Sequence, residues 1–183
     1  PRAWALRDRW LDAAGGDAAL QTYEGARVMA RAISGLADDR AWGLRKRILE
    51  AAPVPTLYSI SRLVDERAWK WRERWIHLAS KVVLATVDGI DEPRAWALRE
   101  AVALRCKEAI DSLAGLDHPI AWRLREACAD VWPSTVVKSL GRLATTPRGE
   151  ALVARQLARH GDDPSLLKHA AAIALRAREA PIP

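Results

Sequence analysis

Apolar positions in this chain recur at constant offsets from a tryptophan. Ala-Trp with Arg three residues later occurs five times, at Trp4 and Arg7, Trp42 and Arg45, Trp69 and Arg72, Trp96 and Arg99, and Trp122 and Arg125. Two residues after each Trp stand Leu6, Leu44, Trp71, Leu98 and Leu124. Six residues after stand Trp10, Ile48, Trp75, Val102 and Cys128. Six before each later Trp stand Leu36, Leu63, Ile90 and Leu116. Three before those stand Ile33, Ile60, Val87 and Leu113, with Leu140 in the last copy. The last four tryptophans are 27, 27 and 26 residues apart, and the first gap is 38. An interval of this size marks a unit that cannot bury its apolar face alone and stacks on its neighbours.

The polar positions divide each unit into two helices. The first helix opens at Asp91-Glu92-Pro93 or Asp117-His118-Pro119, where proline suits the first turn and carboxylates suit the positive dipole end. It runs to about eleven residues past the Trp, where Pro53, Ser80, Lys107 and Pro133 begin a short apolar second helix. Gly35, Gly89 and Gly115 fit its C-terminal stop, and the same turn position holds Arg62 and Arg142. The strand-like run Lys81–Ala85 falls in a helix slot of the repeat. Residues 15–23 form an enlarged loop or an extra helical turn in the longer first copy. Gly149 stands where a sixth Trp would fall, and helices are expected at about 148–159 and 164–178.

The expected fold is all-α: a right-handed α-solenoid of two-helix repeats with a period of about 27 residues, filling one domain over 1–183. A degenerate terminal unit at about 144–183 covers the last apolar face. Pro1 stands three residues before Trp4, as Pro93 and Pro119 stand before their tryptophans. The chain thus starts on a repeat boundary without an initiator Met, and is expected to be a piece of a longer protein.

Half the residues are hydrophobic, enough for a continuous core, yet no run is long and apolar enough to span a membrane. No stretch reads as a signal peptide. Cys106 and Cys128 sit at different repeat positions and read as small core residues in a reducing, cytoplasmic compartment. With four scattered histidines they give no metal-ligand spacing, and no cofactor is implied.

The net charge of +6 invites a nucleic-acid reading, which the repeat allows to be tested. Positions one, four, five and eight after each Trp lie opposite the Leu face of the first helix. Their charged residues, from Asp8, Arg9 and Asp12 in the first copy to Arg123, Glu126 and Asp130 in the fifth, are of mixed sign and sum to −1. A nucleic-acid stripe would carry one sign, so specific nucleic-acid binding is not expected. The recurrent arginines have two readings. They are a basic row for an anionic ligand, or an internal ladder of Arg45, Arg72, Arg99 and Arg125 against the turn residues Asp38, Asp65 and Glu92, which fixes repeat geometry. The internal reading is preferred. Most of the nine tryptophans read as core. Trp69, Trp71 and Trp75, clustered in one helix, are the candidate partner contact, because aromatic anchors dominate binding hot spots.

No phosphate-binding loop, dinucleotide fingerprint or nucleophile elbow is present, so no catalytic residue is assigned and the chain is not expected to be an enzyme. Asp38-Asp39 and Asp162-Asp163 read as helix caps, and His160 as a helix C-terminal residue.

The two-helix unit with its acidic turn residue and downstream Arg resembles HEAT-like repeats over nearly the whole chain, although the unit is shorter and the Ala-Trp signature is not the general family pattern. Ser112–Asp117 leading into Ala121–Glu126, with the closing stretch Ser165–Ile173, is more narrowly similar to tandem repeats attached to some bacterial thymidylate-kinase-like proteins. The kinase's phosphate-binding motif is absent, so phosphoryl transfer does not carry over. The resemblance implies a scaffold or protein–protein interaction module with a protein partner. The alternatives are an accessory tail of a nucleotide kinase and a nucleic-acid-binding HEAT-like repeat.

Overall fold

The structure, a computed structural model, describes residues 2–179. Pro1, on which the boundary reading rests, and residues 180–183 lie outside the described residues. Every element is helical, and no strand occurs among the described residues. The chain, expected as one repeat domain over 1–183, clusters into two compact units, Pro1–Val87 and Asp88–Pro183.

The first unit holds α1 (Arg2–Ala13), α2 (Asp17–Leu20), α3 (Tyr23–Ala32), α4 (Asp39–Ile48), α5 (Pro53–Tyr58), α6 (Glu66–Trp75) and α7 (Ser80–Thr86). The extra residues of the first copy make α2, reached through Gly15 and Gly16, both at positive φ. The strand-like run 81–85 lies inside α7. Helix starts follow the sequence chemistry. Asp38 caps α4 through the Ala41 N–H, and Asp65 caps α6 through the Arg67 and Ala68 N–H groups. α5 opens with Pro53 in its first turn. Leu20, Met29, Ile33, Leu44 and Ile48 form a buried cluster against which Trp4, Trp10 and Leu36 pack. Trp42, Ile60, Leu63 and Ala68 form a second cluster, with Trp71 against it.

The second unit holds α8 (Pro93–Val102), α9 (Glu108–Asp111), α10 (Pro119–Ala127), α11 (Pro133–Leu140), a 3-10 segment at Gly141–Thr145, α12 (Pro147–His160) and α13 (Pro164–Glu179). Pro93, Pro119, Pro133 and Pro147 all open helices. Trp96, Val102, Ile110, Leu113, Trp122, Val136, Leu140 and Leu152 are buried. Gly149, in the place of a sixth Trp, has a physical requirement. A Cβ there would stand 1.9 Å from the Leu143 carbonyl oxygen, so α12 packs with its backbone against the 3-10 segment.

The turn position sorts differently from the sequence expectation. Gly35, Gly89 and Gly115 have φ near +70°, and so does Arg62, at +65°. In the last copy Gly141 takes the left-handed conformation instead of Arg142. The chain leaves α11 one residue earlier there, because a 3-10 segment follows directly.

Candidate functional site

The recurring Arg lies three residues after its Trp on the same helix, close enough for the guanidinium to stack on the indole. The guanidinium carbon stands 4.7 Å from the Trp42 ring centroid for Arg45, 4.6 Å from Trp69 for Arg72, 4.6 Å from Trp96 for Arg99, and 5.1 Å from Trp122 for Arg125. All four arginines are completely buried. Burial pushes the guanidinium pKa of Arg45, Arg99 and Arg125 down to about 10, so each still carries its charge at neutral pH.

A buried cation has to spend its donors. Arg45 donates to the carbonyls of Leu36 at 2.8 Å, Ile33 at 2.8 Å and Ser59 at 3.1 Å, and its Nε to Ser59 Oγ at 2.9 Å. Arg72 repeats this with Leu63, Ile60 and both oxygens of Thr86. Arg125 does so with Leu116, Leu113 and both oxygens of Ser139. Arg99 donates to the Ile90 carbonyl and to Ser112 Oγ. For Arg45 and Arg72 the acceptors lie at the C-terminal ends of two successive short helices. Orphan carbonyls and negative dipole ends gather there, which favours a cation with a planar fork.

The expected ladder therefore needs a correction in its partners. Asp38 and Asp65 spend their carboxylates on helix caps, and Asp38, Asp65 and Arg45 interact only through space, the charges favouring the guanidinium. Glu92 makes no side-chain cap. His118, at the fourth such position, caps α10 through Nδ1 and stacks on Trp96 at 4.6 Å. The physical reason is competition: Asp38 and Asp65 accept from the first N–H groups of α4 and α6, and carbonyls and a hydroxyl at the ends of α3 and α5 fill the Arg45 fork.

Two partner sets escaped the sequence reading, although both are written in it. The hydroxyls of Ser59, Thr86, Ser112 and Ser139 each follow the Arg by 14 residues, or by 13 for Arg99. The residue missing from the 26-residue repeat thus falls between Arg99 and Ser112, where α9 is short. In the first copy Ala32 holds the hydroxyl position, and Arg7, only half-buried, reaches its carbonyl at 2.7 Å. Asp91 and Asp117, five residues before their tryptophans, each accept the indole N–H at 2.8 Å. Trp42 has Ala37 at that position, and its buried Nε1 finds no partner.

Trp69, Trp71 and Trp75 do not form one exposed cluster. Trp69 is 3% exposed and buried with Arg72, so it is removed as a partner contact. Trp71 is half-buried, edge-on to Trp42 at 5.4 Å, and Trp75 is half-buried with a covered Nε1. Within each unit, charges of the long helices are laced into pairs between successive repeats. Asp39 meets Arg67 at 2.6 Å and Asp130 meets Arg159 at 3.0 Å, and Asp8 with Arg40 and Glu100 with Arg123 do the same. Such exposed pairs add little stability, but they neutralise the face.

An open groove lies between α3 and α5 of the first unit. Tyr23, Arg27, Ala30 and Arg31 share one face of α3, and with Val54, Pro55 and Tyr58 of α5 they line a groove of about 450 Å³. Tyr23 and Tyr58 are its exposed walls. Cys106 and Cys128 are unpaired, and burial pushes both thiols above their ordinary pKa. Among the described residues no group of three or more metal-ligating side chains gathers, and no helix is long and apolar enough to cross a membrane.

No protein-family model matches the chain, and no curated protein and no solved structure matches it.

Proposed function

We propose that this chain is a non-catalytic, HEAT-like helical-repeat scaffold that serves as a protein–protein interaction module. The reading takes its units as a right-handed α-solenoid with an interval of about 27 residues. The observation that carries it is the consumption of the recurring chemistry. Arg45, Arg72, Arg99 and Arg125 are the repeated reactive or ligand-binding candidates, and each is wholly buried with its donors given to helix ends. A residue type repeated for catalysis or ligand capture would present its donors to a cleft. Repeated for internal stitching, it leaves the variable surface residues to choose a partner. The paired charges on the long helices favour a protein over a nucleic acid. Two unpaired thiols suit a reducing, cytoplasmic setting.

The test is selection from a random-peptide display library on the immobilised full chain, beside titration of a labelled duplex and single strand at about 150 mM salt. The folded chain enriches a peptide family, the urea-unfolded chain does not, and neither nucleic acid forms a submicromolar complex. Absence of enrichment, or tight nucleic-acid binding lost when Arg45, Arg72 and Arg99 are replaced together in a variant that still folds, overturns the reading.

A further inference from the structure

Over α3, α5, α7 and the turn at Arg62, Glu24 stands against Arg27, Arg31, Arg62 and Lys81. Within the groove the asymmetry is sharper. Glu24 holds Arg27 through a fork that includes a 2.9 Å bond from Nε. Arg31, one turn further along the same face, is exposed with no carboxylate paired to it. The facing wall on α5 carries no charge at all, its residues being Pro53 to Tyr58. One side of the groove is thus basic and the other apolar, with Ala30 between them and two phenol rings rising into solvent.

The repeat itself does not require these residues. Tyr23 and Tyr58 are the chain's two tyrosines, 59% and 42% exposed. An exposed ring gains little burial energy on folding, and aromatic rings with few torsions are efficient anchors. A nucleic-acid backbone rewards a row of free cations. This groove offers a single unpaired guanidinium beside an apolar wall, whereas Arg40, Arg47 and Arg67 on the long helices of the same unit pair with Asp8, Asp17 and Asp39. The complement is a chain with one apolar side chain next to one or two carboxylates.

We propose that the groove between α3 and α5 binds an acidic peptide segment of a partner protein, with an apolar side chain between Tyr23 and Tyr58 and a carboxylate on Arg31. This rests on the interaction-module reading and names the partner chemistry for it.

The experiment sequences the peptides enriched by the full chain and measures the best of them by fluorescence anisotropy, against the same peptide with its acidic residues changed to lysine. Enriched peptides are expected to place Asp or Glu beside an aromatic or large aliphatic residue. Arg31→Glu and Tyr58→Ala each weaken binding by about tenfold or more, Arg31→Lys retains most of it, and Arg74→Glu on α6 leaves it unchanged. Circular dichroism confirms that each variant folds. Peptides without acidic bias, or binding indifferent to Arg31→Glu, would sink the groove assignment and leave the interaction module standing. No enriched peptide at all would remove both, and a labelled single strand that binds tightly and loses affinity in Arg31→Glu would reassign the groove to nucleic acid.

Discussion

Arg45 grips Ser59 twice, donating from Nε to the hydroxyl at 2.9 Å and from a terminal nitrogen to the carbonyl at 3.1 Å. The hydroxyl in turn donates to the Thr56 carbonyl at 2.7 Å, and the Gly35 N–H reaches the same Ser59 carbonyl at 3.1 Å. One side chain therefore ties the end of α3 to the end of α5, and no apolar residue of similar volume could satisfy those carbonyls.

The fork geometry makes lysine a poor substitute. Arg45→Lys keeps the charge but presents one ammonium where a planar group serves three carbonyls and a hydroxyl. The expected cost is roughly 2–4 kcal/mol, because buried acceptors lose their partners. Urea unfolding of the full chain measures it, and a loss below about 0.5 kcal/mol would show that the carbonyls do not depend on the fork.

The orphaned indole of Trp42 predicts a gain. Ala37→Asp places a carboxylate five residues before Trp42, as Asp91 and Asp117 stand before Trp96 and Trp122. Ala37 is exposed, so the carboxylate also keeps its contact with water. Stability should rise by about 1 kcal/mol, the usual net worth of such a bond. Thermal melting reads the change, and Asp117→Ala should shift the melt in the opposite direction.

Arg62 occupies a left-handed position where three other copies carry glycine. Arg62→Gly removes the Cβ clash but loosens the unfolded chain, leaving a net gain of about 0.5–1 kcal/mol. An unchanged or lower denaturation midpoint would mean that the arginine side chain contributes packing equal to the strain.

Gly149 should tolerate nothing larger. In Gly149→Ala the new methyl meets the Leu143 carbonyl carbon as well as its oxygen, at 2.8 Å and 1.9 Å, and backbone cannot rotate away as a side chain would. A loss of about 2 kcal/mol or more is expected, from displacement of α12 off the 3-10 segment. Hydrogen exchange should show faster opening confined to the neighbourhood of α12 and α13.

The order of elements is legible in the sequence alone. The Trp-centred offsets, the prolines at helix starts and the glycines at helix ends place nearly every helix, because these signals act through local backbone geometry and a single apolar stripe. Burial of Trp96 and Trp122 and engagement of the arginines also follow from the repeat itself. The arginines' acceptors do not, since carbonyls are identical in every residue and only the packing of one helix end on another selects Ile33, Leu36 and Ser59. The same holds for Trp69, whose sequence neighbours suggested an exposed trio until helix rotation put it beside Arg72 in the core. The groove between α3 and α5 is likewise a tertiary product. Tyr23 and Tyr58 are 35 residues apart in the sequence, and no other copy of the repeat carries a tyrosine. Composition and period determined the helices and their inner faces, through burial and backbone preference. Which side chains remain outside to meet a partner was decided only when α3 packed against α5, because exposure belongs to the pair of helices and to neither sequence alone.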